Sequence, residues 1–111
     1  MRVDLLRAAR LGKTVAYGTL MKKYRLSRGH ALSRAIGEVD RSEYVRGAPG
    51  FAAIIVRNDT GFPGGGYFCD DELPARLRRP SSGASDSRLT AGERRYVRRQ
   101  QRIIWKYYSR I

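Results

Sequence analysis

Arg94, Arg95, Arg98, Arg99, Arg102, Lys106 and Arg110 follow one another near the end of the chain with no acid between them. On a helix at 100° per residue, Arg95, Arg98, Arg99, Arg102, Lys106 and Arg110 share one side. Planar guanidinium forks in such a row suit phosphate oxygens and the edges of bases. This is binding chemistry. Reaction chemistry is harder to assemble. His30 is the sole histidine, so neither a two-histidine metal site nor a Ser-His-Asp arrangement is at hand. Cys69 is the sole cysteine, which rules out an internal disulfide and a cysteine-built zinc site. The acids of "CDDE", 69–72, are adjacent in sequence and point their carboxylates in different directions, so a solvated turn or helix start explains them better than a Mg²⁺ site. No catalytic residue, metal or cofactor is expected; the enzymatic alternative is a DNA-processing or repair enzyme or sensor, with the Asp70–Glu72 cluster or Cys69 as its centre.

The stretch "NDTGFPGGGYF", 58–68, is the other feature that chemistry could use. A phosphate-cradling loop needs Gly-Lys-Ser/Thr running into a helix. Here the glycines lead instead to Tyr67, Phe68 and Cys69. The reading is a hairpin: "NDTG" as the turn, and Gly64 and Gly65 letting backbone lie close to another surface.

The totals name the partner class. Lys plus Arg number 23 against 10 acids, giving +13, and 19 of the 23 are Arg. A surface of this kind repels itself until it meets a polyanion. Double-stranded DNA is the leading expectation and RNA the alternative. An anionic membrane surface fits less well, because basic residues are spread through the whole chain. No apolar run of about 18 residues spans a bilayer. "MRVDLLRAARLG" is interrupted by Arg7 and Arg10 and lacks the apolar stretch of an export signal. An intracellular setting is expected, in cytoplasm or nucleoid, or in a host cell's cytoplasm.

These residues need elements to position them. Residues 3–11 read as a short helix stopped by Gly12, and "TVAY" as a short β-prone segment. "TLMKKY" reads as a second helix capped by Thr19. Residues 27–41 read as a third, capped by Ser27. Its core side carries Ala31, Leu32, Ala35, Ile36 and Val39, and its polar side His30, Ser33, Arg34, Gly37 and Arg41. "FAAIIVR", 51–57, is the strongest strand pattern, and "YF" at 67–68 returns beside it. "DDELPARLRRP" holds a helical turn broken near Pro74, and "SSGASDS" reads as a flexible linker. "TAGE", 90–93, is a capping box that opens the last helix. Its apolar side, Tyr96, Val97, Ile103, Ile104, Tyr107, Tyr108 and Ile111, packs on the body or, alternatively, forms a homodimer seam.

The order of "TVAYG-TL", a helix with "SRAIG", an apolar strand and a Gly-rich return resembles the winged-helix domain of alkylguanine DNA alkyltransferases and alkyltransferase-like proteins. The residues that carry the resemblance are Val15, Tyr17, Gly18 and Leu20, then Arg34, Ala35, Ile36 and Gly37. It covers roughly residues 3–68. It implies that Arg34 enters the duplex and that Tyr17 presses on a neighbouring phosphate. The family's Pro-Cys-His-Arg is absent, so alkyl transfer is not expected.

The expectation is therefore an α+β winged helix-turn-helix, three short helices plus a β-hairpin wing, over residues 1–69. Residues 70–89 link it to an appended basic amphipathic helix at 90–111. The expected nucleic-acid contacts are Tyr17, Arg28, His30, Arg34, Arg41, Arg57, Gly64, Gly65, Arg95, Arg98, Arg99, Arg102 and Lys106. The expected role is non-enzymatic duplex binding, of the regulatory or architectural kind found among small basic proteins of phage and mobile elements.

Overall fold

The computed structural model describes residues 1–26 and 29–109. Helix α1 spans Arg2–Arg10. Gly12 ends it in the left-handed region, at φ 67°. The Gly12 and Lys13 amides turn back to the Ala9 and Ala8 carbonyls, satisfying two of the acceptors a helix end leaves open. Strand β1 (Val15–Ala16) runs straight into α2 (Tyr17–Lys23). Thr19 is therefore inside α2 and does not cap it. Helix α3 covers Gly29–Val45 and outruns its expected end at Arg41. The expected Ser27 cap, Arg28, Arg110 and Ile111 lie outside the described residues.

The wing does not form. Within "FAAIIVR" only Ile55–Val56 is a strand, β2, and Ala52–Ile54 form a 3-10 turn. β2 pairs in parallel with β1, Val15 opposite Ile55 and Ala16 opposite Val56. A parallel pair needs a crossover, here α2 and α3, whereas a hairpin would be antiparallel. The reason lies in burial. Phe51, Ala53, Ile54, Ile55 and Val56 are all buried, and helices surround them. Backbone groups in such a place need partners, and helix side chains supply them. Asp40 of α3 accepts the Phe51 amide at 2.6 Å. Gln101 of the last helix donates to the Ala53 carbonyl at 3.0 Å. The return segment goes into a 3-10 turn, Gly65–Cys69, which buries Phe68. What remains of the hairpin is a tight loop, with the Arg57 amide on the Phe62 carbonyl and Gly61 at φ 73°.

Helix α4 (Ala91–Tyr108) opens with the capping box read from "TAGE": Thr90 accepts the Glu93 amide, and Glu93 reaches back to the Thr90 amide. It is not appended. Ile104 and Tyr108 belong to the same core as Leu5, Leu20, Leu32, Ile36 and Phe51. Phe51 and Tyr108 stack with centroids 4.8 Å apart, an arrangement that adds about 0.5–1.5 kcal/mol beyond area burial. Val97, Phe68 and Leu73 form a second, smaller core. The fold is thus mostly helical, with four α-helices and one two-stranded parallel ladder among the described residues. It is not a winged helix-turn-helix.

Two buried acids of α3 hold the helices together. Glu43 accepts from Arg2 and from the Tyr108 hydroxyl, which also sits 2.6 Å from the Pro49 carbonyl. Burial pushes the Glu43 carboxyl up, but the bonds from Arg2 and Tyr108 and the charges of Arg2 and Arg46 together hold it below its usual range. Asp40 has no such help. It is 6% exposed and has no basic partner among the described residues. Burial raises its carboxyl to about 6, against the pull of the Phe51 and Ala52 amides.

A test of Asp40 follows. Between about pH 4 and 6 the native chain keeps a proton on Asp40 that the unfolded chain has lost, so this group makes stability fall as pH rises. The cost above pH 6 is on the order of 3 kcal/mol, at 1.36 kcal/mol per unit. Asp40→Asn keeps an acceptor for the Phe51 amide and carries no charge. Urea melts should find the variant more stable than the parent at pH 8 by a few kcal/mol, and the two nearly equal at pH 4. Equal stabilities at pH 8 would refute this account.

Candidate nucleic-acid interface

The amphipathic pattern of α4 dictates what it shows to solvent. With Val97, Gln101, Ile104 and Tyr108 buried, the opposite side is left to Arg95, Arg98, Arg99, Arg102 and Lys106, all exposed. Arg94, Arg95, Arg98, Arg99 and Arg102 wall a groove of about 520 Å³, closed on its other side by Phe62. The loop that failed to be a wing therefore still approaches the basic helix.

The cations in this groove are not equivalent. The Arg98 guanidinium lies 4.5 Å from the centre of the Phe62 ring, and its Nη1 donates to Gln101 at 3.3 Å. Arg94 donates to the Leu89 carbonyl at 2.6 Å. Both are pre-positioned by the protein. Arg95, Arg99, Arg102 and Lys106 make no ion pair among the described residues. Their charge is uncompensated from within.

Helix α3 presents His30, Arg34 and Arg41, all exposed. Arg34 and Arg41 are surface neighbours of Gly37 at three and four residues' spacing, and Arg99 is likewise a neighbour of Tyr96 on α4. Gly37 and Tyr96 both line a second cavity, between α3 and α4.

The remaining expected contacts are placed differently. Arg57 grips Asp59 through two bonds of 2.9 and 2.7 Å. That hydrogen bonding holds the Asp59 carboxyl below its usual range, so the arginine is neutralised locally. Tyr17 is half-buried. Burial raises its hydroxyl, opposed by the facing Gly64 amide and the charge of Arg57. Gly64 is half-buried and Gly65 buried. A Cβ on Gly65 would collide with the Asp86 carbonyl and come within 2.8 Å of that of Gly83. Its missing side chain serves the packing of the chain on itself.

Arg94 and Phe62 were not among the expected contacts. Arg94 repeats the spacing of Arg98 and Arg102, so its sequence signal was present. Phe62 gave none, because only the tertiary fold brings it to α4. Asp70, Asp71 and Glu72 do not converge, and the described residues hold no group of three or more His, Cys, Asp or Glu placed for a metal ion. No helix among the described residues is long and apolar enough to cross a membrane. On α4, Ile104 and Tyr108 are spent on the chain's own core, while Ile103 and Tyr107 stay exposed. No protein-family model, curated protein or solved structure matches the chain.

Proposed function

We propose that the chain is a non-enzymatic protein that binds double-stranded DNA, with α4 along the phosphates and the His30–Arg34–Arg41 ridge of α3 as a second contact. The observation that carries the reading is the exposed row Arg95, Arg99, Arg102 and Lys106 without internal ion pairs. At 1.5 Å rise per residue this row is roughly 16 Å long. A duplex major groove is about 12 Å wide, so the row is long enough to reach phosphates on both of its edges. Arg94 and Arg98, held by Leu89, Phe62 and Gln101, lose less freedom on binding than free side chains would.

Anisotropy titrations of a labelled duplex at several salt concentrations test this. Neutralising four to seven phosphates gives a slope of log affinity against log salt of about −4 to −6. A slope near zero would reject the reading. Equal competition by duplex RNA would redirect it to double helices of either geometry.

A further inference from the structure

The cavity between α3 and α4 is the chemical opposite of the surface around it. Tyr17, Tyr44, Tyr67 and Tyr96 contribute to its walls, as do Asp40, Asp70 and Glu72. Four of the chain's seven tyrosines thus share one hollow. Among the described residues no lysine or arginine lines it, although the chain has 23.

We propose that this cavity binds an alkylammonium ion, with tyrosine faces around the cation and the buried Asp40 carboxylate as its counter-ion. The proposal is independent of duplex binding. Aromatic faces attract cations, most strongly where water is excluded. A carboxylate kept inside a protein normally has a charged partner. Asp4, Glu43, Asp59, Asp86 and Glu93 each have one. Asp40, the buried one on this cavity, has none among the described residues; Asp70 and Glu72, exposed at its wall, have none either, in a chain where cations are in large excess.

The backbone is cut to this purpose at Gly50. A Cβ there would come within 2.5 Å of the Asp40 Cγ and 2.8 Å of the Tyr44 hydroxyl. Only glycine lets carboxylate and phenol stand on the same wall. The volume, about 390 Å³, is at the low end of the roughly 300–1,000 Å³ of small-molecule sites. A phosphate-bearing ligand is disfavoured by three unpaired carboxylates. An alkylammonium meets opposite charge, ring faces and, at Ile36, Ala53 and Ile104, apolar surface for its carbon chain.

The test is titration calorimetry on the full chain at pH 7.5 with 1,4-diaminobutane, tetramethylammonium and N-acetyl-lysine methylamide, against 1-pentanol and adenosine as uncharged probes. Saturable binding of an ammonium probe with Kd at or below about 1 mM is expected, with the uncharged probes at least about tenfold weaker. A preference for the capped lysine over the diamine would support the same chemistry and name a protein side chain as its source. Asp40→Asn should weaken ammonium binding about tenfold or more while its thermal melt stays cooperative, so a loss of fold cannot stand in for a loss of site. Tyr67→Leu should weaken tetramethylammonium severalfold. No saturation by any ammonium probe up to about 10 mM, equal binding of uncharged probes, or unchanged affinity in Asp40→Asn would each overturn the proposal.

Discussion

Arg79→Ala is expected to destabilise the chain by about 3–5 kcal/mol, the usual cost of leaving a buried partner's charge uncompensated. Arg79 and Glu93 are the most enclosed ion pair among the described residues, with side-chain exposures of 14% and 7%. Two bonds of 2.7 Å join the guanidinium to both carboxylate oxygens. The remaining donors hold the carbonyls of Gly83, Asp86 and Arg88 at 3.1, 2.7 and 2.8 Å. The guanidinium carbon lies 5.5 Å from the centre of the Phe68 ring. Removing the side chain leaves Glu93, which also closes the α4 capping box, with its charge unmatched. It also frees residues 83–88. Arg79→Lys should recover little, since an ammonium cannot offer five fixed donors. Urea melts of the two variants check this. A loss under about 1 kcal/mol in Arg79→Ala would mean that the loop and cap stand without the arginine.

The largest expected change in binding comes from replacing Arg95, Arg99, Arg102 and Lys106 together by glutamine. Each lost phosphate contact removes about 0.9 from the salt slope, so four should flatten it by about 3.6. If both proteins bind equally weakly at 1 M salt, that difference amounts to roughly a thousandfold loss of affinity at 0.15 M. The fold should be spared, because all four side chains are exposed and make no internal ion pair. Anisotropy titrations at three salt concentrations and a thermal melt give both readouts. Unchanged duplex affinity in a folded variant would remove α4 from the interface.

Local rules were the legible part of this sequence. The α4 boundary follows from Thr90 and Glu93, which bond to one another. The end of α1 follows from Gly12. The exposed cations of α3 and α4 follow from helical period alone. What the period cannot reveal is a polar residue whose partner is distant. Asp40 and Glu43 look like solvent-facing acids, yet they bond to Phe51, Arg2 and Tyr108, 11, 41 and 65 residues away. "FAAIIVR" shows the same limit. An apolar run announces burial, and burial among helices that feed its backbone suits an irregular segment as well as a strand. "SSGASDS" has linker composition, but one arginine just before it fastens three carbonyls of residues 83–88. At the candidate interface the basic wall was legible and Phe62 opposite it was not.

Glu43 draws Arg2, at the beginning of α1, and Tyr108, in the final turn of α4, onto one carboxylate. A chain still being synthesised cannot complete that junction until residue 108 has emerged. Its early helices must wait with their apolar sides unmatched, and a fragment ending before α4 would keep an open core. Closure of this core is thus expected to wait for α4, and α1 and α4, far apart in translation, finish as neighbours.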